Sequence, residues 1–179
     1  ASINVAGARI AISVYSPTDV VSASEIMDVV QDLFPAAANY LGGELPVDQY
    51  TILVYLNKGM GGSGAFGALE HNTSTVFYLP EAPVNALRQT LRDVTAHEFF
   101  HIVTPLNIHS EEIDDYDFVN PKMSKHLWLY EGCTEYAAQH VQVKEGLVSM
   151  DQFLDVMQQK MVAASSYDSG IAFTEMSKK

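Results

Sequence analysis

The spacing of apolar residues changes character along this chain, and that change restricts the fold more than any other feature. From Ala8 to Tyr15, Ile10, Ile12 and Val14 recur every second residue, the pattern of a half-buried strand. Tyr50 to Leu56 is nearly continuously apolar and rich in β-formers, as a central strand would be. Thr73 to Leu79 reads as another strand, ended by Pro80 and Pro83. Helical spacing appears once before that point, between Val20 and Leu41, where Thr18 or Asp19 would supply the N-cap and Gly42 and Gly43 the stop. Beyond Pro83 it dominates. Val84 to Thr104, Lys125 to Gly146 and Met150 to Ala164 each carry an apolar face at helical period. A strand-rich first part followed by a helical second part predicts an α+β fold rather than alternating βαβ units.

The 179 residues suit one domain. With 22 acidic residues against 10 Lys plus Arg the net charge is −12, so nucleic acid and anionic membrane surfaces would be repelled. No apolar run approaches the roughly 20 residues that cross a bilayer. The single cysteine, Cys133, rules out an internal disulfide framework and reads as a small buried hydrophobe. Compartment and oligomeric state stay open.

The chemistry concentrates in His97-Glu98-Phe99-Phe100-His101. Residues four apart share a helix face, so His97 and His101 can aim imidazole nitrogens at one cation with Glu98 beside them. A catalytic zinc takes three protein ligands and keeps a position for water, whose proton an adjacent carboxylate can accept. Glu98 fits that role. The remaining ligand is sought in Leu127-Trp128-Leu129-Tyr130-Glu131-Gly132-Cys133-Thr134-Glu135-Tyr136. Glu131, flanked there by Leu127, Trp128 and Ala137, would be costly to bury unpaired, and a metal would neutralise it. Glu135 lies one turn on and is either an acceptor for the free N–H of a ligating imidazole or a solvated surface acid.

The motif HEFFH, a stretch holding Asp115-Tyr116-Asp117-Phe118, and then LWLYEGCTEY resembles the glycyl aminopeptidase family of gluzincin metallopeptidases. The resemblance extends back through Tyr15-Ser16-Pro17-Thr18, the strand TILVYL and a glycine-rich run of five Gly among residues 59 to 67. It implies a thermolysin-like catalytic fold with a β-rich lobe near 1–82 and a helical lobe near 83–179, expected to be truncated at its C-terminus. It implies one Zn²⁺ per chain held by His97, His101 and Glu131, with Glu98 as general base. Gly67-Ala68-Leu69-Glu70-His71 stands where related enzymes bind a peptide's free amino group on an edge strand, which makes Glu70 the expected anchor. The implied partner is a peptide, and the implied reaction is removal of N-terminal, small residues. A zinc endopeptidase and a catalytically silent peptide-binding homologue are the alternatives.

The oxyanion donor is unknown. Tyr116 and Tyr130 are candidates, and both read more simply as packing residues. The acids Glu111, Glu112, Asp114, Asp115 and Asp117 read as a solvated loop.

Overall fold

A computed structural model describes residues 1–59 and 66–178. Its five strands form one sheet in the order β1-β2-β3-β5-β4, with β1 Ser2–Val5, β2 Ala8–Tyr15, β3 Gln49–Asn57, β4 Gly67–His71 and β5 Ser74–Pro80. β1 and β2 form a hairpin whose turn residues Ala6 and Gly7 both have positive φ, 46° and 83°, as a tight primed turn requires. β2, β3 and β5 run parallel, and β4 folds back antiparallel on β5 as an edge.

The chain passes from β2 to its parallel neighbour β3 through α1 Ala23–Val30 and α2 Leu33–Tyr40. The first part of the chain therefore contains a βαβ crossover, which the division into strands and then helices did not anticipate. The single helix expected over 20–41 is two helices, and its cap is neither Thr18 nor Asp19. Ser22 accepts from the Glu25 N–H while Glu25 reaches back to the Ser22 N–H, a reciprocal capping box. Gly42 and Gly43, with φ of 101° and 109°, close α2 as read from the sequence.

The sheet is buried on one face. Tyr50, Ile52, Val54 and Leu56 point inward from β3, whereas Leu53 and Tyr55 are exposed, so this central strand alternates although its sequence is almost uniformly apolar. On the open face Tyr15, Tyr55 and Tyr78 stack side by side, with ring centroids 5.0 and 5.7 Å apart. The inner face packs on α1, α2 and α3 Val84–Phe100 in one core. Phe99 of α3 meets Tyr50 and Phe34 edge to face at 5.0 and 5.1 Å.

Three further helices follow the short α4 Glu111–Asp114: α5 Leu127–Lys144, α6 Met150–Ala164 and α7 Phe173–Met176. α5 packs along α3, and this contact assembles the site. Among the described residues, no helix is long and apolar enough to cross a membrane.

Leu91 lies fully buried on α3, and Leu69 is two-thirds exposed on β4. Leu91→Ala should lower unfolding free energy by about 2–5 kcal/mol, and Leu69→Ala by less than about 0.5 kcal/mol. Urea denaturation of the two variants measures both, and equal losses would contradict this placement of the core.

Candidate active site

His97 and Glu98 occupy the last turn of α3, and His101 is its C-cap. Phe99 and Phe100, between the two histidines, are buried in the core. At about 100° per residue, Phe99 lies nearly opposite His97 and His101, so seating the aromatic side turns both imidazoles outward. They meet at 4.9 Å between ring centroids.

The carboxylate of Glu131, on the facing turn of α5, sits between them. Its Oε2 lies 3.1 Å from His97 Nε2 and 3.8 Å from His101 Nε2. One ligand atom from each of His97, His101 and Glu131 falls within 4.8 Å of the other two. Each imidazole is oriented by its other nitrogen. His101 Nδ1 is 2.8 Å from the Thr104 carbonyl, which can only accept, so Nδ1 carries the proton and Nε2 keeps its lone pair. His97 Nδ1 faces Glu135 Oε2 at 2.7 Å in the same way. This donor set, two oriented imidazoles and a carboxylate, suits a divalent metal ion.

Electrostatics point the same way. Burial draws the His97 imidazolium pKa down, but Glu131 and Glu135 outweigh it and hold the group up at about 10. For Glu135, burial acts upward, yet His97 and Lys160 bring its carboxyl down to about 2. Hydrogen bonding to His97 also lowers Glu131. The pocket therefore stabilises positive charge strongly.

Glu98 lies on the sheet side. Its carboxylate is buried, and burial pushes its pKa up despite the neighbouring histidines. Thr75, fully buried on β5, places its hydroxyl 3.5 Å from Glu98 Oε2 and 3.0 Å from the Leu69 carbonyl. Tyr50 donates to the Glu98 backbone carbonyl at 2.9 Å. Glu70, on edge strand β4, comes close enough that one donor atom each from Glu70, Glu98 and His101 lies within 4.8 Å of the others. A cleft of about 440 Å³ opens here, lined by Glu70, His71 and Glu98 together with Leu106, Ile113, Tyr116 and Phe118.

All the residues singled out in the sequence, His97, Glu98, His101, Glu131, Glu135 and Glu70, are thus brought to one end of the sheet. Two readings of the Glu131 helix need correcting. Glu131 is 45% exposed, with Leu127 and Trp128 also partly exposed, so geometry and not deep burial makes it a ligand candidate. Cys133 is exposed rather than buried, because α5 turns Thr134 and Tyr130 inward and Cys133 outward. Tyr130 has a packing role, its buried hydroxyl accepting the Ser110 N–H at 2.7 Å. Tyr116 lines the cleft. Of the five clustered acids, three fall in α4, and Asp114 pairs with His109 at 3.1 Å on the cleft wall. Most of the glycine-rich run, residues 60–65, lies outside the described residues.

Sequence reasoning did not find Thr75, Tyr50, Thr134 or Lys160. Thr134 bonds the Thr104 hydroxyl at 2.9 Å and the Thr104 carbonyl at 3.2 Å, locking α5 to the turn that orients His101. Its place in the run Glu131-x-x-Thr134-Glu135 was the available signal.

No curated protein matches the chain. Among solved structures it is similar to an aminopeptidase N family protein from Idiomarina loihiensis, with 22% identity over 86% of this chain and a TM-score of 0.66. That likeness speaks for the fold, and the chain spans 26% of that protein's length. Residues 90–178, which carry both histidines, Glu98 and the whole of α5, match the family model described as M61 glycyl aminopeptidase. With the histidine pair and the Glu131 helix inside that match, residues 90–178 are a segment of the M61 glycyl aminopeptidase family.

Proposed function

We propose that this chain carries the catalytic centre of a zinc-dependent, thermolysin-like peptidase acting on peptide amino termini. The observation that carries the reading is the convergence of His97, His101 and Glu131 within 4.8 Å, with the buried carboxylate of Glu98 beside them. The matching family and the structural relative are both described as aminopeptidases, which supports the same class.

His97 Nε2, His101 Nε2 and a Glu131 oxygen would hold Zn²⁺. The ion supplies Lewis acidity toward the scissile carbonyl and toward water. Glu98 takes the proton of the attacking water on its carboxylate and returns it to the departing amine nitrogen. Burial holds its pKa above the usual carboxylate range, which helps it to accept that proton. Glu70, at the end of edge strand β4, pairs with the substrate's terminal ammonium. A peptide lying along that edge would gain main-chain hydrogen bonds while its first residue sits against Glu70. Anchoring the amino terminus one residue from the reacting carbonyl yields exopeptidase cleavage.

Metal analysis after metal-replete purification should find about one zinc per chain, and a value near zero would remove the centre. Glu98→Gln should keep the metal and lose about 10²–10⁴-fold in turnover, and undiminished turnover would take Glu98 out of the reaction. Glu70→Gln should raise KM for a peptide with a free amino terminus by at least about tenfold, the loss of one charge-assisted pair. The variant should barely change cleavage of the acetylated twin. Parent protein that cleaves both peptides equally well is an endopeptidase.

A further inference from the structure

Lys160 is a solvent-side lysine of α6, and none of the residues in that helix is buried. Its ammonium nonetheless ends 2.6 Å from Glu135 Oε1, the oxygen that His97 does not use. Glu135 is thus gripped at both oxygens: Oε2 by His97 Nδ1 at 2.7 Å, and Oε1 by Lys160 with Gln139 Nε2 at 3.2 Å. Asp93 of α3 adds a reason for the cation. Its half-buried carboxylate repels Glu135, and Lys160 opposes both charges.

We infer that Lys160 is a positioning residue for the metal centre, acting through Glu135 to fix the His97 imidazole. The inference rests on His97, His101 and Glu131 being metal ligands. Its logic is one of magnitude. A half-exposed ion pair contributes little to stability. Partners that orient a ligating imidazole, by contrast, change metal affinity by about 10–100-fold when removed. Without the ammonium, Glu135 faces Asp93 with Gln139 alone on Oε1, and the carboxylate is free to swing toward solvent. His97 then loses the acceptor that sets its ring orientation.

The test is zinc affinity, measured by competition with a chromophoric chelator at fixed pH. Lys160→Met should weaken zinc binding by about tenfold or more, and Lys160→Arg should return it to within about threefold of the parent. In a Glu135→Gln background, Lys160→Met should change affinity by less than about twofold, because two residues acting through one carboxylate do not add. Equal losses in both backgrounds, or Lys160→Met zinc binding as tight as the parent's, would overturn the inference. Should Lys160→Met fail to fold by circular dichroism, Lys160→Gln serves in the same cycle. A parent that does not compete with the chelator defeats the ligand assignment itself and this inference with it. A parent that competes while Lys160→Met matches it defeats only the role of Lys160.

Discussion

Everything at this site depends on how the last turn of α3 sits against the sheet. Phe99 wedges edge to face between Tyr50 and Phe34, and Tyr50 also donates its hydroxyl to the Glu98 carbonyl. Together these contacts fix the rotation and the depth of the helix end. Interiors are close-packed, so a large aromatic has few alternative seats. With Phe99 seated, His97 and His101 must face α5, and Glu98, about 100° around from His97, faces the cleft beside β4 and β5. The two variable positions of His-Glu-x-x-His are therefore the residues that aim the three chemical ones.

The second half of the arrangement is a polar seam between α3 and α5. Glu131 and Glu135 stand one turn apart on α5, each facing a different nitrogen of His97, at 3.1 and 2.7 Å. Thr134, between them in sequence, ties the same helix to Thr104 and so to the acceptor of His101. Each imidazole has one nitrogen committed to the protein and one left toward Glu131. That division of labour requires α5 to keep its register along α3. A shift of a single residue would rotate Glu131 by about 100° and dissolve the cluster.

Much of this was legible from residue spacing. His97, Glu98 and His101 are local to one helix, and Glu131 with Glu135 to another, so the 3.6-residue period places each group on a face without tertiary information. Contacts between elements far apart in sequence were not. Thr75 looks like any strand threonine, and Lys160 like any solvated lysine on an amphipathic helix. β4, the edge that brings Glu70 in, shows no buried residue at all and gave no strand pattern of its own. The break between α1 and α2 was missed because the apolar face runs through it, and Ser22 was missed because two better-placed candidates preceded it. Glu131 was singled out for a partly mistaken reason, burial, whereas the structure shows its position between the two imidazoles.

Charge ties these pieces together on the proposed reading. Glu70, Glu98, Glu131 and Glu135 bring four negative charges to one end of the sheet. A dication on His97, His101 and Glu131, a substrate ammonium at Glu70 and the Lys160 ammonium at Glu135 bring four positive ones. Asp93 adds a carboxylate beside Glu135 whose charge burial disfavours. The substrate-bound centre is then close to balanced, which matters because unpaired charge in a half-buried site is costly. When Glu98 takes a proton its negative charge is lost, and the site is left with one excess positive charge as a negative charge develops on the substrate's carbonyl oxygen. The arrangement is thus more complementary to the transition state than to the bound peptide, which is the condition for binding energy to speed the chemical step.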